Sequence, residues 1–153
     1  GVMAVKLEGA HIDTVKKLVS SGIPVMGHLG LTPQSMHQLG GYRVQGRTDG
    51  DAILEAALAL EAAGAFAIVL ELVPAELAAR ITAALSIPTV GIGAGVNCDS
   101  QVLVWTDLMG ITKKAPKLAK AYRNLRTEML DATKEWAGDV AASRFPGTEQ
   151  SFK

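Results

Sequence analysis

Apolar residues along the chain change period in a repeating cycle. They run continuously or alternate over a few residues, then recur three and four apart over ten or more. The first run, Ala4-Val5-Lys6-Leu7-Glu8-Gly9, has the period of a strand, with Ala4, Lys6 and Glu8 on one face and Val5 and Leu7 on the other. Ile12, Val15, Leu18 and Val19 then recur at helical spacing, and Ser20-Ser21-Gly22 closes that helix. Pro24 to Gly30 predicts the next strand. A loop rich in special residues runs from Thr32-Pro33-Gln34 to Arg47, after which Thr48 or Asp49 caps a helix carrying Ile53, Ala57 and Leu60 and ending at Gly64. Ala65 to Glu71 is a nearly continuous apolar strand, and Pro74 opens a helix with Leu77, Ile81 and Leu85 on one face. Pro88 to Gly95 predicts a strand running into glycine. Gln101 to Trp105 fits either a strand or a short buried helix. Leu118, Tyr122, Leu125, Met129, Ala132 and Trp136 predict a long helix within 112–142, and residues 143–153 read as an irregular tail.

Helices alternating with strands that are apolar on both faces imply βα units and a parallel sheet covered by helices. An open doubly wound sheet and a (β/α)8 TIM barrel both satisfy that pattern. The strand ends favour the barrel, because each finishes in something chemically unusual: Lys6 and Glu8, His28, Glu71, then Gly91, Gly93 and Gly95. Barrel sites gather at the C-terminal rim from several strands, whereas an open sheet concentrates its ligand at one switch point. The strand phase directs Phe66, Ile68 and Leu70 to the helices and Ala67, Val69 and Glu71 to the axis. Gly91 and Gly93 on the inward phase would leave room for a ligand. The expectation is one α/β domain over 1–153 that forms part of such a barrel. A closed barrel takes eight strands in about 250 residues, and four or five are legible here, so the chain reads as a piece of a longer protein.

Composition narrows the function classes. Hydrophobic residues make up 48% and charged residues 20%, a globular balance with no sign of disorder. Fifteen basic and fifteen acidic residues cancel, which argues against nucleic acid as a partner. The apolar runs are broken well short of a membrane span, and the single cysteine, Cys98, suits a reducing cytoplasm. The chain is therefore expected to be cytoplasmic, with no membrane and no nucleic-acid partner.

Single residues specify little by themselves. A lone K-x-E at a strand end reads as a surface ion pair, and Glu71 alone reads as a cap on the helix after Pro74. His28 reads equally as a satisfied core histidine or a contact to a ligand, while His11 and His37 fall on polar positions. The glycines from Gly91 to Gly95 lack the lysine or serine of a P-loop and the Rossmann spacing, so nucleotide binding is not expected.

Five motifs taken together are specific. VKLEG at 5–9, PVMGHLGLTPQS at 24–35, GYRVQGR at 41–47, LELVPAELA at 70–78 and IPTVGIGAGVNCDSQVLVW at 87–105 resemble the ketopantoate hydroxymethyltransferase family, in the family's order. The chain resembles the C-terminal part of that family's barrel, of the phosphoenolpyruvate mutase-like type, from about the fourth strand onward. Ala10 and Ser100 stand where the family usually has glycine. The resemblance implies transfer of a hydroxymethyl group from 5,10-methylenetetrahydrofolate to 3-methyl-2-oxobutanoate, giving 2-dehydropantoate for coenzyme A synthesis. It implies Mg²⁺ with Glu8 as the metal-side carboxylate, Glu71 as proton acceptor and Lys6 as a substrate contact; His28 stands beside them as a candidate for substrate-binding, and Gly91 and Gly93 as candidates for lining the pocket. The family's two aspartates toward metal and substrate have no counterpart here. It also implies a homo-oligomer, a decamer of stacked pentamers, with the C-terminal apolar stripe covering the barrel or a neighbouring subunit. Two other readings are another Mg²⁺-dependent 2-oxo acid lyase or mutase of the same fold, and a non-catalytic barrel fragment or assembly subunit. The cysteine-bearing loop of the lyase group is not found around Cys98.

Overall fold

A computed structural model describes residues 1–37 and 40–152. The chain divides into two compact units, Gly1–Val102 and Leu103–Lys153. The first unit holds five parallel strands in the order β1-β2-β3-β4-β5: β1 (Val5–Glu8), β2 (Val25–Gly30), β3 (Ala67–Glu71), β4 (Thr89–Ile92) and β5 (Ser100–Gln101). Spatial order follows chain order without reversal, so these strands have no switch point of the doubly wound kind.

Three helices connect the first four strands: α1 (Ile12–Ser20), α2 (Gly50–Ala62) and α3 (Ala75–Ala84). Their apolar stripes bury Val15, Ala57, Leu60, Leu77, Ala78 and Ile81 in one cluster with Val25, Leu29, Ile68 and Leu70 of the sheet. Fully burying such an aliphatic side chain stabilises by roughly 1.5–3 kcal/mol, so this layer dominates the unit's stability. Glu61 of α2 accepts from the backbone N–H groups of Ser86 and Ile87 at 2.6 and 3.1 Å, anchoring the turn into β4.

Strand register separates the two sheet faces. Paired residues in a parallel sheet share a face, and the pairs Gly27–Ile68, Leu29–Leu70 and Leu70–Gly91 place Gly91 with the helix-covered residues. The opposite face carries Lys6, Glu8, Met26, His28, Ala67, Val69, Glu71, Val90 and Ile92. Ile68 and Leu70 thus face the helices as expected, and Glu71 points the other way. Gly91 does not take the inward phase assigned to it. Phe66 precedes β3 and stays 42% exposed, so it is not buried against the helices as its phase predicted.

In the second unit, α4 spans Trp105–Leu108 and α5 spans Leu125–Ala141. The expected helix over 112–142 is therefore shorter at its N-terminal end. The Tyr122, Leu125 and Arg126 N–H groups donate to Leu108, Met109 and Gly110 carbonyls, and Asn124 caps through Thr127 N. Those carbonyls satisfy donors that an earlier helical start would have needed to bond internally. The Gln101–Trp105 stretch divides between β5 and α4. No residue of α5 is buried, and the Trp136 and Phe145 rings meet edge-on at 6.5 Å. The tail contains a 3₁₀ turn at Thr148–Gln150.

Candidate active site

Four of the charged or polar side chains singled out in the sequence meet on the face away from the helices. β1 supplies Lys6 and Glu8, β2 supplies His28 in register with Glu8, and β3 supplies Glu71 in register with Gly30. A side-chain period of two puts all four on one surface at the C-terminal ends of three adjacent strands. Lys6 Nζ lies 2.9 Å from His28 Nδ1 and 3.4 Å from Glu8 Oε1. Glu8 Oε1 is 3.7 Å from His28 Nδ1, and Glu71 Oε2 is 3.2 Å from His28 Nε2.

The imidazole is the centre of this group. Its side chain is 3% exposed, against 10% for Glu8, 14% for Glu71 and 44% for Lys6. A buried polar atom without a partner is costly, which makes the assignment of each ring nitrogen consequential. Nδ1 is engaged by Lys6. Nε2 faces Glu71 off the hydrogen-bonding direction and forms no hydrogen bond with any described residue. The two carboxylates sit on opposite sides of the ring, Glu8 toward Nδ1 and Glu71 toward Nε2.

Two features that sequence reasoning missed lie against the two glutamates, one at the Glu8 carboxylate and one at the Glu71 backbone. The Gln34 N–H, presented by the 3₁₀ turn Pro33–Ser35, donates to Glu8 Oε2 at 3.0 Å. The special loop was visible, but its return to β1 is a through-space contact. Gly30 lies at φ +89°, and a Cβ there would press on the Glu71 carbonyl and come within 2.7 Å of Val73 Cγ1. Only glycine meets both the left-handed backbone and this approach.

The two glycines predicted to line a pocket lie elsewhere. A Cβ at Gly91 would come within 2.9 Å of Cys98 Sγ and 3.0 Å of the Gln101 amide, so the chain's own side chains fill that space. Gly93 is exposed beyond β4. At the opposite, N-terminal end of β4 Asp99 accepts from Thr89 N at 2.8 Å and Thr89 Oγ1 at 3.0 Å, and these hydrogen bonds hold its carboxyl below the ordinary carboxylate range. A cavity of about 500 Å³ lies at the N-terminal ends of α2 and α3 beside Arg47, Glu76 and Arg80, and none of the four rim residues lines it.

The rim is suited to a hard cation only in part. Glu8 offers oxygen donors of the right kind, and Mg²⁺ commonly takes one or two carboxylates with water and substrate oxygens completing its shell. Yet one Glu8 oxygen has the Lys6 amine at 3.4 Å, and no cluster of three or more acidic, histidine or cysteine side chains that could hold a metal occurs among the described residues. Glu8 fits as a single contributed ligand, not as a complete site. No helix among the described residues is long and apolar enough to cross a membrane.

Parallel βα units with helices packed on one face, and with an amine, an imidazole and two carboxylates converging at the strands' C-terminal rim, define an α/β protein with a rim-sited polar centre. The chain belongs to the ketopantoate hydroxymethyltransferase family, whose profile matches residues 1–148. It is 59% identical over 99% of its length to a protein of Acidothermus cellulolyticus named 3-methyl-2-oxobutanoate hydroxymethyltransferase, covering 58% of that protein. Proteins of the same name from Frankia casuarinae and Acaryochloris marina are 56% and 57% identical, over 99% and 95% of this chain and 53% and 58% of their own lengths. The chain thus spans somewhat more than half of the relatives it matches.

Proposed function

We propose that this chain forms the C-terminal part of a (β/α)8 barrel that transfers a hydroxymethyl group from 5,10-methylenetetrahydrofolate to 3-methyl-2-oxobutanoate, giving 2-dehydropantoate for coenzyme A synthesis. The observation that carries the reading is the convergence of Lys6, Glu8, His28 and Glu71 at one rim in a chain of this family. Sequential strand order with the helices on one side supports an arc of a barrel. A homo-oligomer in the cytoplasm, with Glu8 contributing to a Mg²⁺ site, belongs to the same reading. The ion, when bound, supplies electrophilic polarisation of the keto oxygen.

The chain's own residues act on the proton and the charge. Glu71 takes the proton from C3, and the electron pair left behind moves into the C2 carbonyl as an enolate. Lys6, a compact cation open to the face, offsets the negative charge developing on substrate oxygen. The enolate carbon then bonds to the folate-borne methylene, both of that carbon's C–N bonds to folate break, and water provides the hydroxyl, with the proton taken from C3 and one proton of that water ending on the two folate nitrogens. Tetrahydrofolate leaves.

Hydrogen isotope exchange at C3 of 3-methyl-2-oxobutanoate, measured without folate, tests the first half of this sequence. Exchange should depend on Glu71 and fall at least a hundredfold in Glu71→Gln, within the roughly 10²–10⁴-fold span of general-base catalysis. A second reading, a non-catalytic fragment, draws on the coverage of about half of the relatives and the single metal-side carboxylate. It predicts no exchange by the chain either alone or with the missing N-terminal portion of a relative supplied.

A further inference from the structure

We propose that Lys6 fixes His28 as the Nε2–H tautomer, and that the buried imidazole is a positioning residue for Glu71 rather than a direct ligand of substrate. An ammonium group has donors and no acceptor, so the Lys6–His28 contact at 2.9 Å requires a lone pair on Nδ1. The ring's single proton is then on Nε2. That atom lies 3.2 Å from Glu71 Oε2 and has no other partner among the described residues. It is within reach of the carboxylate but off its line.

The competing arrangement puts the proton on Nδ1 and aims it at Glu8. Distance decides against it. Glu8 Oε1 is 3.7 Å from Nδ1, too long for a hydrogen bond, and has a nearer donor in Lys6 at 3.4 Å. An Nδ1–H would also confront the Lys6 ammonium donor to donor at 2.9 Å and leave Nε2 as a buried lone pair facing an anionic oxygen. At 3% exposure water is poorly placed to relieve either clash.

This arrangement gives His28 work that the family resemblance leaves open. A charge-assisted N–H···O bond holds Glu71 as an oriented carboxylate ready to accept a proton. With Nδ1 occupied and Nε2 protonated, the imidazole has no free lone pair and cannot compete as the base. The catalytic part of the proposal rests on C3 proton abstraction by Glu71. The tautomer itself does not.

Two measurements separate those parts. In chain labelled with ¹⁵N-histidine, with His28 assigned by loss of its signals in His28→Asn, Nδ1 is expected in the unprotonated range and Nε2 in the protonated range at neutral pH. Lys6→Met should return the ring to a mixture of tautomers. An Nδ1–H ring, a doubly protonated ring, or a tautomer indifferent to Lys6→Met would overturn the proposal. In the exchange assay, the His28→Gln amide can reach the Nε2 position and should retain most of kcat. The shorter His28→Asn should lower kcat roughly tenfold to a hundredfold, the weight of one hydrogen bond to a charged group, with KM little changed. Equal losses in both variants, or a loss confined to KM, would count against positioning. The ¹⁵N measurement needs no turnover, so it decides the tautomer even if exchange is absent and the functional reading fails.

Discussion

At the scale of single residues, the rim depends on a position with no side chain. Gly30 pairs with Glu71, has φ +89° and admits no Cβ without displacing the Glu71 carbonyl or Val73. Gly30→Ala should destabilise by more than about 2 kcal/mol, combining a left-handed backbone with overpacking. Gly27→Ala is the control, since its Cβ would meet only Leu60 Cδ1 at 3.1 Å and Ile68 Cγ1 at 3.5 Å as near side-chain contacts, with no positive φ and no backbone clash. Equal denaturation midpoints for the two variants would sink this account. A second residue-scale prediction concerns acid. Thr89 holds the Asp99 carboxyl below its ordinary value of 3.8, so above 3.8 the folded state gains from the ionised form. That gain is lost as pH falls through the lowered folded value, because the unfolded chain takes up the proton first. Asp99→Asn should flatten this part of the stability–pH curve, and an unchanged acid slope would show that the carboxylate does not contribute. Lys6, Glu8, His28 and Glu71 were legible because polar groups ending apolar strands stand out against the pattern. The 2.9 Å contact between Lys6 and His28 was not, since it joins residues 22 apart in the chain.

At the scale of elements, the sheet's two faces differ in what covers them, and mutations on opposite faces should differ accordingly. Leu70 is fully buried against the helices, whereas Val90 is half-buried on the rim face. Leu70→Ala should cost about 2–5 kcal/mol and Val90→Ala less than about 1.5 kcal/mol. Similar costs in chemical denaturation would mean that the rim face is packed as tightly as the helix face. The first four strands and α1 to α3 could be read from the sequence because their apolar periods are regular and bounded by glycine or proline. Gly91 was misphased for a physical reason: glycine leaves no side-chain signal of which face it occupies, and register with Leu70 settles the question. The start of α5 was likewise hidden. Tyr122 falls on the helical stripe, but its N–H is taken by Leu108 O.

At the scale of the whole molecule, the rim offers only Glu8 toward the proposed Mg²⁺ among the described residues, and the chain matches somewhat more than half the length of its relatives. A lone glutamate oxygen pair, with an amine 3.4 Å away, is a poor trap for a cation that gives up its hydration water reluctantly. Calorimetric titration of the 153-residue chain with Mg²⁺ should therefore show no saturable binding at millimolar concentration. Adding the corresponding N-terminal portion of a relative such as the Acidothermus cellulolyticus protein should change two readouts together. Saturable Mg²⁺ binding should appear, and C3 exchange should become Mg²⁺-dependent. Glu8→Ala should abolish both, while Glu71→Gln should remove exchange and leave binding in place. This split follows from geometry, because the His28 ring lies between the two carboxylates, with Glu8 toward Nδ1 and Glu71 toward Nε2. Saturable Mg²⁺ binding by the chain alone, or exchange that survives Glu8→Ala in the reassembled protein, would refute the division of labour between the two carboxylates.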